Sequence, residues 1–420
     1  MTVADLDLRA LQRRTLGTLA TTQVLAGVGV TSAISVNALL AKDVSGSEAL
    51  AGLAQTGQVL GAALATILVA RLTHRSGRRI GLAAGYALGA TGAGVSVLAG
   101  VLRSFPLLLL GAMLVGSTTA AGGQIRYAAT DLAEPRHRGR DLSLVVWATT
   151  VGSVLGPNLG GPGEAVATRL GLPPLTGAYL FTVVAVLAGL AVMWLRLRPD
   201  PLLLARSRPD LHPVEDRHAV PADTHPAQGG WARVRHTPIL RAAALGLALS
   251  HAVMVAVMVM TPIHMDHGHA TLQIIGLVIS IHVLGMFAFS PFVGILVDRV
   301  GPPRVLALGG VTLLLSLLLA GTSQPGHSAT LTIGLFLLGV GWSFAQIAAS
   351  TLVTASTSPA TRPLVQGATD VVTFSTAAAA GALGGVVVSH IGFAALNALA
   401  AILALGVLWA AYRAWRERSS

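Results

Sequence analysis

Apolar residues along the chain are gathered into long runs, and polar positions fall mainly between the runs. Each run is about 20 residues long, the length that a helix needs to cross the hydrocarbon core of a bilayer. The pattern predicts twelve membrane-spanning helices, at 16–40, 47–70, 80–102, 106–130, 142–162, 176–195, 239–262, 272–296, 305–322, 329–354, 363–388 and 391–412. One long polar segment, 196–237, is rich in proline and predicts a linker between two six-helix bundles, 1–195 and 238–420.

Composition supports an all-α integral membrane protein and excludes several other classes. Of the 420 residues, 53% are hydrophobic and only 11% are charged, whereas about 25% charge is usual in soluble domains. Cysteine is absent, which excludes disulfides, thiolate metal sites and covalent haem attachment. The single lysine, Lys42, follows no glycine-rich phosphate loop, and no signature of nucleophilic catalysis is present. We therefore expect neither an ATP-driven pump nor an enzyme. We also expect no cleaved signal peptide, because the first apolar run is too long for one.

The formal net charge of +11 is distributed unevenly between the two sides of the membrane. One side receives Arg9, Arg13, Arg14, Arg71, Arg75, Arg78, Arg79, Arg136, Arg138, Arg140, Arg299, Arg304, Arg362, Arg413, Arg416 and Arg418. The other side has only Lys42, Arg103 and Arg169. By the positive-inside rule this predicts a plasma (inner) membrane protein with both termini and the linker in the cytoplasm. The basic charge thus reflects topology, and we expect the lipid bilayer as the partner and no nucleic acid.

A basic loop motif occurs twice, about 220 residues apart, at equivalent places in the two halves. The first copy reads ARLTHRSGRR from Ala70, and the second reads GILVDRVG from Gly294. Both resemble the loop signature of the major facilitator superfamily, Gly-x-x-x-Asp-Arg-x-Gly-Arg-Arg. The matching residues are Arg75, Gly77, Arg78 and Arg79 in the first copy and Gly294, Asp298, Arg299 and Gly301 in the second.

This resemblance covers essentially the whole chain and implies two pseudo-symmetric bundles that rock about a central substrate site. In the superfamily the loops act as a latch on the cytoplasmic side. The first copy departs from the signature, because Ala70 and His74 stand where the family has Gly and Asp. An imidazole at this position would make the latch sensitive to pH.

Span five contains the sequence GSVLGPNLGG, in which Gly152, Gly156, Pro157, Gly160 and Gly161 are the notable positions. Small residues at every fourth position allow helices to approach closely, and Gly-Pro breaks the hydrogen-bond ladder near the outer end. The stretch resembles a motif that is associated with proton-coupled antiporters in the superfamily. A kink that serves packing alone is the alternative interpretation.

Two ionisable residues are placed inside predicted spans, Arg126 in span four and Asp370 in span eleven. Such groups are costly in a membrane and usually face a cavity or a partner. We consider Asp370 the candidate for proton coupling, together with Arg126. A structural ion pair, or a position at a helix end that reaches the surface, is the alternative for both.

Methionine and histidine are concentrated in residues 251–286, which hold five of the eight methionines and five of the thirteen histidines. Residues three, four or seven apart share one face of a helix. The shared faces carry His251, Met254 and Met258 in span seven, and His282 and Met286 in span eight. From the helical rise, Met254 and His282 lie about 12 and 15 Å below the outer ends of their helices, so we expect them to face each other near mid-membrane.

These side chains suit copper, because thioether sulfur is a soft ligand for Cu(I) and imidazole accepts copper in either redox state. The pair Met-x-x-x-Met and His-x-x-x-Met also resembles the CcoA-type copper importers of the superfamily, which implies Met254, Met258, His282 and Met286 as metal-binding residues. Between the two spans, His264, Met265, His267 and His269 predict a metal-capture site at the outer mouth. Methionine as packing filler, His282 as a proton relay and a solvated outer loop are the alternatives.

The first hypothesis is therefore a monomeric secondary transporter that imports copper by alternating access through a Met/His site between helices seven and eight. Copper is then the substrate, and we expect no tightly bound cofactor. The alternative is a proton-coupled antiporter that exports small hydrophobic or cationic organic compounds, with import of an organic nutrient as a close variant. A membrane sensor or scaffold without turnover, or a membrane enzyme, is the hypothesis from a different class.

Overall fold

The structure, a computed structural model, describes residues 8–46, 48–208, 229–266, 268–269, 272–326 and 328–419. Within this part of the chain it is helical and contains no strand. The helices are α1 (Leu8–Ser45), α2 (Glu48–Ser76), α3 (Arg78–Leu102), α4 (Phe105–Ala128), α5 (Arg138–Leu155), α6 (Gly160–Arg169), α7 (Gly177–Arg196), α8 (Pro201–Ser207), α9 (Gly229–His236), α10 (Pro238–Asp266), α11 (Leu272–Phe287), α12 (Ser290–Val300), α13 (Pro302–Gly321), α14 (Ala329–Ala355) and α15 (Arg362–Ser419).

The number of membrane spans agrees with the hydrophobic pattern. Eleven spans in the described residues are long and apolar enough to cross a membrane, and α5 with α6, a bent pair, makes a twelfth. The helix α15 covers spans eleven and twelve, which meet at Gly392, where φ is 88°. The predicted all-α, multi-pass membrane architecture is confirmed.

The chain forms two compact units, each of which includes a segment from the other half of the sequence. The first unit comprises residues 1–134, 148–213 and 359–367. The second unit comprises residues 135–147, 214–358 and 368–420. The segment 359–367, which includes the start of span eleven, therefore packs with the unit that holds most of the first six spans.

The predicted repeat is visible in the backbone. Gly77 precedes α3 with φ 91°, and Gly301 precedes α13 with φ 90°. This region of φ suits glycine, because a side chain there would be strained. The interval between Gly77 and Gly301 equals that between His74 and Asp298, so the two glycines occupy equivalent positions. Their similar φ values show that both copies of the basic loop turn in the same way.

Span eight differs from the continuous helix that we predicted over 272–296. The helix α11 ends at Phe287 and α12 begins at Ser290. Pro291 explains the break, because it has no N–H to donate and its ring clashes with the carbonyl four residues before it. The break begins one residue after Met286, a predicted site residue.

Span five is interrupted as its Gly-Pro pair predicts. A short 3-10 turn, Pro157–Leu159, separates α5 from α6, and the two helices are bent by 59°. Before the bend, Thr31 Oγ1 donates to the Gly152 carbonyl at 2.8 Å, and Ser32 Oγ donates to the Gly156 carbonyl at 2.8 Å.

A Cβ at Gly152 or Gly156 would collide with α1, whereas Gly160 and Gly161 face open space. The first two glycines therefore serve close packing in this structure. The antiport function that the motif implies stays a prediction.

The segment predicted as a linker is helical at both ends, with α8 at its start and α9 near its end. Asp200 caps α8, since its Oδ1 accepts from the backbone N–H groups of Leu202 and Leu203 at 3.0 and 3.2 Å. The middle of the segment, 209–228, lies outside the described residues.

Candidate functional site

A buried ion cluster in the first unit is centred on the carboxylate of Asp131. Arg78 donates to it through Nε at 2.7 Å and through Nη2 at 3.2 Å, and Arg362 donates through Nη1 at 3.1 Å. Arg78 also donates to Gln124 Oε1 at 3.2 Å and to Gln366 Oε1 at 2.8 Å. All three ionised side chains are at most 1% exposed. The cluster therefore joins the starts of α3 and α15 to the residues just after α4.

The second copy of the basic loop, in the second unit, binds the start of α5. The Asp298 carboxylate accepts from the backbone N–H of Gly139 and of Arg140, both at 2.8 Å. Such N–H groups at a helix start lack intrahelical partners and favour a negative charge. The signature residue Asp298 thus caps a helix to which it does not belong.

Close approach of the backbones at the two loops is achieved by different residues. In the second copy a Cβ at Gly294 would collide with Ser143 Oγ. In the first copy the equivalent position is Ala70, and a Cβ at the opposing Gly367 would collide with the Ala70 Cβ. The small residue has therefore moved to the opposite side of the contact, which explains how Ala70 is tolerated where the signature has glycine.

The other arginines of the two loop signatures lie outside the buried ion cluster. The Arg79 guanidinium lies 3.9 Å from the centre of the Trp194 ring, and its Nε donates to the Trp194 carbonyl at 3.0 Å. Arg75 and Arg299 are exposed. Of the arginines in the two signatures, only Arg78 enters the buried cluster described above.

Four ring side chains of the second unit form a cluster, defined by His251, Phe287, Trp342 and Phe374, from α10, α11, α14 and α15. The centre of the Trp342 ring lies 5.9 Å from that of His251 and 5.6 Å from that of Phe287. The rings of His251 and Phe374 meet edge to face at 6.1 Å. Trp342 Nε1–H donates to His251 Nδ1 at 2.9 Å, so Nδ1 acts as the acceptor. Trp342 is buried, and the other three rings are half-buried.

His282 on α11 is buried, with 1% exposure, and is held in one orientation. Its Nδ1 lies 2.8 Å from the carbonyl oxygen of Leu335 on α14. Because a carbonyl only accepts, Nδ1 carries the proton, and Nε2 keeps its lone pair. Within the part of the chain that the structure describes, Nε2 has no hydrogen-bond partner.

Two of the three predicted methionines are buried in the second unit. Met254 and Met286 are each 8% exposed, and Met258 is half-buried. Both α10 and α11 pack against α14. Leu335, Gly339 and Trp342 share one face of α14. Through this face α14 contacts His282 and the backbone at Met286 on one side and His251 on the other.

The predicted outer capture site is corrected by the structure. The helix α10 continues to Asp266, so His264 and Met265 belong to its last turn and are buried, at 7% and 0% exposure. His264 stacks on Phe393, with ring centres 4.1 Å apart, and its Nε2 lies 3.3 Å from Ser323 Oγ. His269 is exposed, with φ 59°, and His267 lies outside the described residues. The stacking of His264 on Phe393 of α15 accounts for the burial of this turn, so His264 and Met265 do not lie in an open loop.

The two ionisable residues predicted inside spans differ in burial. Asp370 is buried, at 1% exposure, whereas Arg126 is half-buried. Arg126 interacts with its neighbour Tyr127, whose hydroxyl accepts from Nη2 at 3.1 Å and whose ring lies 4.7 Å from the guanidinium carbon. Their part in proton coupling stays a prediction.

Sequence reasoning missed Asp131, Arg362 and Trp342 as candidate functional residues. Asp131 lies in a basic region just after span four, and that contrast of charge was a usable signal. Trp342 is the one large side chain in the run LGVGW of span ten. Their partners are distant in the sequence, so no local pattern indicated the contacts.

In the described residues, eleven apolar spans and one bent pair indicate a multi-pass membrane protein, and the second copy of its repeated basic loop caps a helix from the other half of the sequence. The chain belongs to the Major Facilitator Superfamily, whose family model matches residues 19–270 and 243–420. Members of this superfamily are secondary transporters and not enzymes, as the loop signatures predicted.

Relatives cover nearly the whole chain. An uncharacterized MFS-type transporter of Bacillus subtilis, YdeG, is 37% identical over 400 residues, which are 94% of this chain and 91% of the relative. The riboflavin transporter RfnT of Brucella anthropi is 32% identical over 388 residues, which are 92% of each chain. Among solved structures, the human organic anion transporter MFSD10 (TETRAN) has the same fold, with a TM-score of 0.74 at 17% identity over 95% of this chain and 99% of its own.

We predict that Asp131→Asn strongly destabilises the protein. The change leaves Arg78 and Arg362 buried without their shared carboxylate, and breaking a buried ion pair in this way costs about 3–5 kcal/mol. Thermal unfolding of the purified protein in detergent measures the effect.

The matched control for this prediction is Asp43→Asn, because Asp43 pairs with Arg103 at an exposed position. Exposed ion pairs contribute little to stability, so the control should unfold close to the parent. Equal unfolding temperatures for the two variants would contradict the structural role assigned to Asp131.

Proposed function

We propose that this transporter carries a small organic solute with a planar aromatic ring system, and that the cluster of His251, Phe287, Trp342 and Phe374 binds the rings. The observation that carries the proposal is the meeting of four ring side chains from four helices in one unit. Aromatic rings pair favourably in offset or edge-to-face arrangements, so a planar cargo gains contacts on several sides.

The chemistry of the cluster favours an uncharged ring over a charged group. None of the four side chains is a carboxylate, an ammonium or a guanidinium. The Trp342 N–H already donates to His251, so it does not need a hydrogen-bond acceptor from the cargo. The three half-buried rings keep surface that a cargo can cover. A riboflavin transporter among the relatives supports this substrate class, because riboflavin contains such a ring system.

Copper import is the second candidate, and the geometry of His282 favours it. Metal-binding histidines usually donate their other ring N–H to a carbonyl or carboxylate, which fixes the ring and its free lone pair. The Nδ1 contact with the Leu335 carbonyl is of this kind. Met286 follows one turn later on α11, and Met254 and Met258 lie on α10, which packs on the same helix α14 as α11 does. We propose Met254, Met258, His282 and Met286, with His251, as the ligand set. A neutral set of this kind holds Cu(I) without trapping it.

Proton coupling through Asp370 is compatible with either cargo. Its carboxyl group is buried in a span, where a cycle of protonation would have a large energetic effect. We propose that Asp370 takes up and releases the coupling proton during transport. We also propose that both termini lie in the cytoplasm, because the arginine distribution predicts this orientation.

The aromatic proposal predicts that Trp342→Ala lowers riboflavin uptake into proteoliposomes by at least about tenfold, because the ring that contacts both His251 and Phe287 is lost. Trp342→Phe keeps a ring and should lose less. The control is Phe289→Leu, which removes an exposed ring that pairs with Phe336 outside the cluster. Uptake by Trp342→Ala at the parental rate would overturn the proposal, and so would an absence of uptake for a panel of planar heteroaromatic compounds.

The copper proposal predicts that Met286→Leu and Met254→Leu each weaken Cu(I) binding by at least about tenfold. Leucine keeps the volume of methionine and removes only the sulfur. A titration of the purified protein against a chromogenic Cu(I) chelator measures the affinity. Met193→Leu, a buried methionine of α7, is the matched control and should bind as the parent does. Identical affinities for all four proteins would exclude these thioethers as ligands.

The coupling proposal predicts that Asp370→Asn abolishes the dependence of uptake on an imposed pH gradient, because an amide does not take up the proton. Proteoliposomes with and without the gradient provide the measurement, with the transported probe identified above as cargo. Glu164→Gln, an exposed acid in α6, should keep the parental response. A gradient response that survives in Asp370→Asn would remove this residue from the coupling mechanism.

A further inference from the structure

The first copy of the basic loop lacks the carboxylate and one of the two N–H donors of the contact that the second copy makes. In the second copy Asp298 accepts from the N–H of Gly139 and of Arg140. The two copies are offset by the interval between Gly77 and Gly301, and at this offset His74 occupies the position of Asp298. Counting the same offset forward, Pro363 stands at the position that corresponds to Gly139, and proline has no N–H. The first copy therefore has neither the carboxylate nor one of its two donors.

Arg206 of α8 joins the same two segments in another way. Its Nη1 donates to the His74 carbonyl at 2.8 Å. Its Nε donates to the Pro359 carbonyl and its Nη2 to the Ala360 carbonyl, both at 3.1 Å. A guanidinium offers five donors in a planar fork and remains charged, so it suits several carbonyls at once. Arg206 thus ties the end of α2 to the residues that precede α15, and the His74 side chain adds a hydrogen bond to the Ala360 backbone.

The helix α8 is held firmly enough to present Arg206 in this position. Asp200 Oδ2 accepts from the backbone N–H of Arg79 at 2.8 Å, while Oδ1 caps α8 itself. Gly77 leaves the space for this carboxylate, since a Cβ there would collide with it. On the other side of α8, Leu202 and Ala205 are buried. The start of the linker is therefore held on the α2–α3 loop by the Asp200 carboxylate, and α8 also buries apolar side chains.

We propose that Arg206 is a positioning residue for the start of α15, and that α8 with Arg206 replaces the missing Asp-to-helix contact of the first loop. The contact, which we name the α8 clamp, consists of Asp200, Arg206, His74 and residues 359–360. It holds the segment 359–367 against the end of α2. All members of the α8 clamp belong to the first unit, so the contact fixes the start of α15 within that unit.

The absence of native cysteine allows a direct test that needs no knowledge of the cargo. A single cysteine is introduced as Val365→Cys, at a buried position in the segment that the clamp holds. The rate of maleimide labelling of the full-length protein in detergent is followed by mass spectrometry. We expect Arg206→Ala to raise this rate by about tenfold, because hydrogen bonds from a charged donor are lost. Arg206→Lys keeps the charge but not the fork and should give an intermediate rate.

The matched control is Arg196→Ala, an exposed arginine at the end of α7, which should label at the parental rate. The decisive arm adds His74→Asp with Pro363→Gly to Arg206→Ala, which rebuilds in the first copy the arrangement of Asp298 and Gly139. We expect this combination to return the labelling rate to within about twofold of the parent, a difference of well under 1 kcal/mol.

The unfolding temperature is recorded for every variant, so that a global loss of structure is recognised. A labelling rate that stays parental in Arg206→Ala would show that the clamp does not hold the segment. A raised rate that the rebuilt contact does not reverse would show that Arg206 does not stand in for the missing carboxylate. Either result overturns the proposal.

Discussion

The buried carboxylate of Asp131 is the interaction on which the first unit depends. Two guanidinium groups, from Arg78 and Arg362, converge on it, and all three side chains are buried. Charges so deeply buried are tolerated only when they are paired and hydrogen-bonded, and here Gln124 and Gln366 complete the pairing. Because Arg362 begins α15, the cluster also explains why a segment from the second half of the sequence packs with the first six spans.

The two copies of the basic loop show how one backbone turn is kept while its chemistry changes. Gly77 and Gly301 make the same turn with nearly equal φ. In the second copy a carboxylate caps a helix start directly. In the first copy that carboxylate and one N–H are absent, and an arginine from the linker binds carbonyl groups instead. The position of the small residue is a second example of compensation. It is Gly294 of the loop in the second copy, and Gly367, opposite the loop, in the first.

In the second unit, α14 is the helix that organises the candidate binding site. Its face of Leu335, Gly339 and Trp342 receives α11 on one side and α10 on the other. The absence of a side chain at Gly339 allows α11 to approach closely, since a Cβ there would collide with the His282 carbonyl. The ring cluster and the oriented His282 are consequences of this packing, and both proposals for the cargo depend on it.

The sequence by itself determined the membrane class, the number of spans, the internal repeat and the family, because apolar length and charge asymmetry are local properties that need no fold to be read. It also indicated the breaks at Gly156–Pro157, where the local chemistry forbids a continuous helix. Only the tertiary structure decided that His264 and Met265 are buried and that Asp131 pairs with Arg362. It likewise decided that Trp342 contacts His251 and that Arg206 reaches residues 359–360. Each of these contacts joins residues far apart in the chain, and periodicity shows which face of a helix is apolar but not which neighbour covers it.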